Sequence, residues 1–294
     1  MRWLGMLSSG VLLGLFLSGE KKLSMPEETS VPHDTLRRTV ATSLVPLRII
    51  GHTAQKVKDG FALHAGETYP IWARKLALSW KGIPYGSGGI GLKPHELLLN
   101  LDQMDCMTAV ENLVALHIAY KNGAPTLEGF SEALLSVRYH AVPPCRLEDR
   151  HHYLSHSFTK WELAGWGAWL PLGIADERPI RFISANPKKY PAFTDWQYVR
   201  SIEQKLSHRP RYYIPSKELH HWLPALKDGD LIAFVSPKEG LDVSHVGVFF
   251  WEEGKATFAH ASLIAKKWVF GEDLCAYLDR RGENVKGITV FRLY

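Results

Sequence analysis

The sequence predicts an α+β protein in which helices precede a C-terminal antiparallel β-sheet. Apolar residues recur at helical spacing around residues 53–80 and 106–120. Short apolar runs separated by glycine-containing turns then occupy residues 227–293. The 294 residues are 46% hydrophobic and 22% charged, which is an ordinary globular composition with enough apolar material for a sizeable core.

The N-terminus resembles a secretory signal peptide, which we assign to residues 1–23. Arg2 precedes an apolar run from Val11 to Leu17, and Lys21-Lys22 follow. Because the run is short for a transmembrane helix, we expect an exported protein, periplasmic or secreted, with no stable membrane span after signal removal. An uncleaved signal anchor is the alternative. Residues 24–52 carry prolines and scattered charge and are interpreted as a linker or N-terminal arm.

A single folded domain is predicted over residues 53–294. Its first helix lies within residues 53–80, and residues 125–140 predict another helix after the one that starts near residue 106. Residues 143–225 form a long, tryptophan-rich insert in which only a helix near residues 194–206 can be assigned. Long excursions of this kind often form functional walls or lids.

The C-terminal part predicts strands bounded by turn residues. Leu231–Val235 is a continuous apolar run, and a Glu-Glu-Gly-Lys turn at residues 252–255 connects two further β-rich runs. The predicted strands are Leu231–Val235, Ser244–Phe250, Ala256–Ala261 and Gly287–Leu293.

Asp105 and Cys106 form the most informative short pattern in the chain. Asp105 is a favourable N-cap because its carboxylate can accept from the free N–H groups of a first helical turn. Cys106 would then open a helix that runs to about Tyr120, with Val110 and Leu113 on its apolar face. The partial positive charge at a helix N-terminus favours the thiolate, which is the species that attacks carbonyl carbons. A small buried cysteine at the start of an ordinary helix is the alternative.

His245 and His260 are predicted to lie on the same face of the sheet. A hairpin turn centred on Glu253-Gly254 places Gly247 opposite His260. Opposed residues, and residues two apart on one strand, share a face, so the two imidazoles would be diagonal neighbours with backbones roughly 7 Å apart. A slip of one residue in the register would separate them.

Cys106, His245 and His260 therefore supply the groups that a cysteine hydrolase needs. These groups are a nucleophilic sulfur, a base that carries its proton, and a third group that orients the base. The backbone N–H of Cys106 and the hydroxyl of Tyr85, which lies in a loop rich in glycine and proline, are suited to stabilise an oxyanion. A loop tyrosine with a partly buried ring is the alternative for Tyr85. The candidates for positioning the oxyanion or the substrate are Tyr85, Asp105 and Ser244.

The other cysteines and one histidine pair leave alternatives open. The chain has three cysteines, and a bridge between Cys145 and Cys275 or two isolated thiols explains the count equally well. His152 and His156 are four residues apart and would share a helical face, as zinc ligands do. No third ligand and no His-Glu-x-x-His pattern accompany them, so we expect no metal and no cofactor.

Five short segments, in a fixed order, carry a family resemblance. They are Gly82-Ile83-Pro84-Tyr85, Glu96-Leu97-Leu98, Asp105-Cys106-x-Thr108-x-Val110-Glu111, Leu241-Asp242-Val243-Ser244-His245-Val246-Gly247 and His260-Ala261-Ser262. Together they resemble the bacterial N-acetylmuramoyl-L-alanine amidase-like family, which belongs to the NlpC-type, papain-like cysteine hydrolases. The resemblance covers about residues 70–294 and is strongest around Cys106 and His245.

The resemblance implies a circularly rearranged papain-like fold, with a nucleophile helix packed on the antiparallel sheet, and metal-free action on peptidoglycan. The catalytic residues that it implies are Cys106, His245 and His260. The family's Arg-x-His-Tyr segment implies substrate binding by Arg150, His152 and Tyr153. The next residues, Ser155-His156-Ser157, depart from the acidic and aromatic residues of the family, which leaves substrate preference open.

The expected function is cleavage of the amide between N-acetylmuramic acid and L-alanine of peptidoglycan or muropeptides, through a Cys thiolate and an acyl-enzyme. The alternatives are a D-glutamyl-diamino acid endopeptidase of the stem peptide, an inactive wall-binding module, and a zinc hydrolase that uses His152 and His156. The net charge of +5 is mild and scattered, and the sequence contains no nucleic-acid-binding motif. We expect a monomer whose partner is the wall polymer.

Overall fold

The structure is a computed structural model that describes residues 45–86, 96–140 and 146–294. The predicted signal peptide lies outside the described residues. Of the predicted arm, only residues 45–52 are described, and they include one short strand.

Helices dominate the N-terminal half. They are α1 (Thr53–His64), α2 (Tyr69–Ser79), α3 (Cys106–Lys121) and α4 (Leu127–Arg138). Beside them, β1 (Leu47–Ile49) and β2 (Leu97–Leu99) pair in parallel. The single helix expected within residues 53–80 is two helices, because the chain turns at Gly66, whose φ is 74°.

The C-terminal half forms an antiparallel sheet. Its strands are β3 (Gly167–Leu170), β4 (Ile174–Ala175), β5 (Tyr212–Pro215), β6 (Leu231–Val235), β7 (Val243–Glu252), β8 (Lys255–Ser262), β9 (Lys267–Asp273) and β10 (Gly287–Leu293). They lie in the order β4-β5-β10-β6-β7-β8-β9, and β3 also pairs with β10. The remaining α-helices are α5 (Leu154–Leu163), α6 (Trp196–His208), α7 (Leu219–Trp222) and α8 (Leu274–Arg281). The predicted α+β class, with helices first and the sheet last, is confirmed.

The core lies on both faces of the sheet, with α3 at its centre. Every residue of α3 from Thr108 to Ala119 is buried, because α1, α4 and the sheet surround this helix. Val246 and Val248 of β7 pack toward α3, whereas Phe249 packs toward α8. This alternation is expected of a strand that is covered on both faces.

The hairpin between β7 and β8 has the predicted register. Glu253 and Gly254 have φ values of 50° and 77°, as the two central residues of a type I′ turn require. Val248 pairs with Ala259, in the register expected for a turn centred on these two residues.

The insert at residues 143–225 adds strands to the sheet. Both β3 and β5 pair with β10. The insert also has a small core of its own, in which Ile183, Phe193 and Val199 pack with Tyr153. The sequence indicates only α6 in this stretch. Strands of two to four residues carry too little periodicity to be recognised, and α5 and α7 are also not among the predicted elements.

None of the helices in the described part of the chain is long and apolar enough to span a membrane. Cys275 is an exposed free thiol on α8. Its free state favours isolated thiols over the Cys145–Cys275 bridge, and Cys145 lies outside the described residues.

Candidate active site

A capping box places Cys106 at the first position of α3. The Asp105 carboxylate accepts from the backbone N–H of Thr108 at 2.7 Å, and the Thr108 hydroxyl accepts from the backbone N–H of Asp105 at 2.9 Å. These two contacts satisfy donors that a helix start leaves free. The predicted N-cap is therefore confirmed, and the cysteine side chain is only partly buried.

The surroundings of Cys106 favour its protonated thiol, which opposes the effect expected of the helix N-terminus. Burial and, to a smaller extent, the negative charge of Asp105 together raise the pKa of Cys106 to about 12. The backbone N–H groups of Val246, Met107 and Cys106 oppose it by donating toward the sulfur. The helix N-terminus thus acts in the expected direction, but desolvation and the capping carboxylate outweigh it.

The two predicted histidines are in direct contact on one face of the sheet. Nε2 of His245 and Nδ1 of His260 are 2.6 Å apart, and the ring planes cross at 83°. Gly247 makes room for this pair, because a Cβ atom there would lie 3.2 Å from Cβ of His260 and 2.7 Å from the carbonyl oxygen of Ala259.

The residue that follows His245 in the chain lies next to the Cys106 sulfur. Val246, whose N–H donates toward Cys106, is the next residue in the chain. The His245 side chain is partly exposed, whereas His260 is buried. The predicted nucleophile Cys106 therefore lies at the start of α3, and the predicted base His245 and its partner His260 lie on the adjacent strands β7 and β8.

Tyr85 also lies near the sulfur. Burial raises the pKa of its hydroxyl, and the nearby Cys106 and Asp105 raise it further. The Tyr85 backbone N–H donates to the carbonyl of Lys266 at 2.9 Å, which fixes this loop against the turn between β8 and β9. Ser244 is exposed, and its hydroxyl contacts the carbonyl of Phe234 at 3.5 Å.

Sequence reasoning missed Glu272 and Tyr277, which both lie at the histidine pair. The Glu272 carboxylate is 2.8 Å from Nε2 of His260, and the Tyr277 ring centre is 6.2 Å from that of His245. They belong to β9 and α8, neither of which is among the predicted elements. The sequence signal that could have identified α8 is an aspartate before an apolar repeat at helical spacing. In the structure this aspartate, Asp273, caps the helix by accepting from the N–H of Ala276.

The predicted substrate-binding segment lies largely inside the protein. Arg150 is buried and donates to the buried carboxylate of Glu111 at 2.9 Å. The Tyr153 hydroxyl donates to Glu203 at 2.7 Å, and His152 contacts the carbonyl of Leu147 at 2.8 Å. These contacts indicate a structural role for the segment. The segment also lines a small cavity. Substrate binding by these residues stays a prediction.

The histidines considered as zinc ligands do not share a helix face. α5 begins at Leu154, so His152 precedes the helix and His156 lies within it. Within residues 45–86, 96–140 and 146–294, no three His, Cys, Asp or Glu side chains are grouped so that they could hold a metal ion.

Comparisons with known proteins support the fold and identify the family. A model of the AmiA-like family, described as N-acetylmuramoyl-L-alanine amidase-like, matches residues 75–285. A crystal structure of an N-acetylmuramoyl-L-alanine amidase from Bacteroides uniformis is 26% identical, with a TM-score of 0.68 over 81% of this chain and 99% of that one. No curated protein sequence matches the chain significantly.

Two further structures share the fold. One is a putative xylanase from Bacteroides fragilis, which is 25% identical with a TM-score of 0.67 over 74% of this chain and 98% of that one. The other is a protein from Legionella pneumophila, which is 20% identical with a TM-score of 0.64 over 82% of this chain and 94% of that one. At 20% identity the second likeness shows the fold alone.

Proposed function

Because the chain belongs to the N-acetylmuramoyl-L-alanine amidase-like family, we propose that it cleaves the amide between N-acetylmuramic acid and L-alanine in peptidoglycan or muropeptides. α3 is the nucleophile helix of a papain-like hydrolase, and Cys106 is the nucleophile. The single observation that supports this proposal best is the hydrogen-bonded pair His245–His260 on a strand whose next amide donates toward the Cys106 sulfur.

The first half of the reaction forms an acyl-enzyme. His245 accepts the thiol proton as the sulfur attacks the lactyl carbonyl carbon, so no free thiolate has to form beforehand. The backbone N–H of Cys106 and the hydroxyl of Tyr85 donate to the developing oxyanion. When the tetrahedral intermediate collapses, the C–N bond breaks and His245 protonates the leaving amine of L-alanine.

The second half of the reaction hydrolyses the thioester. Water attacks the acyl carbon while His245 accepts its proton, and the C–S bond then breaks. The proton returns to the sulfur of Cys106. The products are a muramic acid with a free lactyl carboxylate and a stem peptide with a free N-terminal amine.

Envelope location belongs to the same proposal. A positively charged start followed by a short apolar run supports export, and peptidoglycan lies outside the cytoplasmic membrane. We propose that the mature protein acts in the periplasm or after secretion.

Digestion of defined muropeptides, read by mass spectrometry, tests the activity. The expected products are free disaccharide and intact stem peptide, and Cys106→Ala should abolish their release while circular dichroism stays unchanged. A sugar that still carries a dipeptide would identify a D-glutamyl-diamino acid endopeptidase instead. Binding to sacculi without any product would identify a wall-binding module, and unchanged turnover by Cys106→Ala would refute the proposed nucleophile.

A further inference from the structure

His260 lies between His245 and a carboxylate. Its Nδ1 is 2.6 Å from Nε2 of His245, and its Nε2 is 2.8 Å from Oε2 of Glu272. The other carboxylate oxygen of Glu272 accepts from the guanidinium of Arg280. The three strands β7, β8 and β9 and the helix α8 thus each contribute one member of a continuous chain of hydrogen bonds.

The chemistry of the donors fixes the direction of this chain. An ionised carboxylate can only accept, so Nε2 of His260 carries a proton. Burial lowers the pKa of both His260 and His245, and each imidazole is therefore neutral at pH 7. A neutral imidazole has one donor and one acceptor nitrogen, so Nδ1 of His260 accepts the proton that Nε2 of His245 carries. This leaves the lone pair of His245 on Nδ1.

We infer that Glu272 is a positioning residue, which acts through His260 to hold His245 as the Nε2–H tautomer and so keeps its Nδ1 free to take the thiol proton of Cys106. The inference rests on the proposed function for its catalytic consequence. The tautomers themselves can be measured without substrate. When His245 becomes an imidazolium during the reaction, the same carboxylate also stabilises the positive charge.

Glu272→Gln is the sharpest test because the side chain keeps its shape. Arg280 can only donate, so it attracts the amide oxygen and leaves the amide NH₂ facing His260. His260 must then accept at Nε2 and donate from Nδ1, which forces the proton of His245 onto its Nδ1. We expect a fall in kcat of about 100-fold or more, the size of an effect that a wrong tautomer produces, with KM and Tm little changed.

The double variant Glu272→Gln/Arg280→Met separates this role from a structural one. Without Arg280, the amide oxygen is free to face His260 and restore the original tautomers. We expect kcat to recover to within about tenfold of wild type, since only the charge is then missing. Arg280→Met alone should lower kcat less than Glu272→Gln does, because the Glu272–His260 contact remains.

Nitrogen-15 NMR of protein labelled at histidine reads the tautomers directly. Wild type and the double variant should show Nε2–H for both His245 and His260, and Glu272→Gln should show Nδ1–H for both. Unchanged tautomers and unchanged kcat in Glu272→Gln, or a double variant no more active than the single one, would overturn the inference. A separate result would refute the proposed function itself: the Cys106→Ala variant would still cleave muropeptides.

Discussion

Glu111 and Arg138 form an ion pair in the interior, with a nitrogen–oxygen distance of 2.8 Å between side chains that are 0% and 1% exposed. Glu111 lies on α3, within two turns of Cys106. Arg150 donates to the same carboxylate, so one buried negative charge joins α3, α4 and the segment before α5. The helix that begins at Cys106 is therefore attached to a charged network in the core.

Glu111→Gln should destabilise the protein by about 3–5 kcal/mol, because two buried guanidiniums lose their counter-charge. Urea unfolding followed by fluorescence measures the change. Glu239→Gln is the matched control, since its pair with Arg181 is exposed at 77% and 55% and should contribute little. Equal denaturation midpoints for Glu111→Gln and wild type would contradict the prediction.

In a plot of kcat/KM against pH, the loss of activity on the acid side (the acid limb) should lie below pH 6.5. Burial, with smaller effects of the neighbouring His260 and Arg281, lowers the pKa of His245 to about 3, so this imidazole stays neutral as the pH falls. Activity should be lost only when the pH drops through this lowered pKa. The measurement is kcat/KM against pH on a muropeptide, restricted to the range in which fluorescence shows folded protein.

Arg281→Met provides the internal comparison for this profile. Loss of a positive charge near His245 should raise the pKa of that imidazole and move the acid limb to higher pH. A wild-type midpoint at or above 6.5, or a shift to lower pH in Arg281→Met, would refute this assignment of the limb.

Asp105→Asn should make the Cys106 thiol more reactive toward iodoacetamide. Asparagine keeps the N-cap but removes the negative charge that raises the pKa of Cys106. At fixed pH the alkylation rate should rise by up to about tenfold for each unit by which the pKa falls. Peptide mass mapping separates this site from Cys275, whose rate should not change. Equal Cys106 rates in the variant and wild type would contradict the prediction.

Gly247→Ala should reduce activity by displacing His260. The added Cβ would lie 2.7 Å from a backbone oxygen and 3.2 Å from Cβ of His260, so β8 has to move. We expect a loss in kcat together with lower stability. Gly60→Ala is the control, because its Cβ would meet only flexible leucine side chains at 3.1 Å or more. Comparable kcat values for the two variants would show that the close approach of β7 and β8 is unimportant.

Stability should fall as the pH drops below 6.5, because buried neutral histidines resist protonation. Burial lowers the pKa of His117 to about 4 and that of His156 to about 3. Above pH 6.5 these histidines are neutral in both the folded and the unfolded protein, so they do not reduce the free energy of unfolding. Below it the unfolded chain binds protons first, so the free energy of unfolding falls by about 1.4 kcal/mol per pH unit for each group.

Urea unfolding at pH 7.5 and pH 5 measures this dependence. His156→Phe should reduce the difference between the two values, whereas His221→Gln should not, since His221 is exposed. A free energy of unfolding that is the same at both pH values would refute the prediction.

The histidine geometry was predictable because local rules determine it. The Glu253-Gly254 turn fixes the register of β7 and β8, and a period of two then places both imidazoles on one face. The start of α3 was predictable for the same reason, since a capping aspartate and an apolar repeat identify it. Sequence alone could not give the protonation state of Cys106, because the desolvation that raises its pKa depends on the packed structure.

Contacts between distant segments escaped prediction. Glu272 meets His260 only because β9 folds back beside β8, where Glu272 pairs with Phe258, two residues before His260. The insert strands escaped because each is stabilised by its partner strand and has little pattern of its own.

The pairing of β10 with strands of the insert limits how far this protein can be shortened. If residues 164–226 were deleted, β10 would lose both β3 and β5 and keep only β6. Its backbone donors and acceptors on that side would then be open to strands of another copy, as in aggregation and domain swapping. A minimal version of this fold therefore has to retain the insert, even if residues 164–226 never touch the substrate.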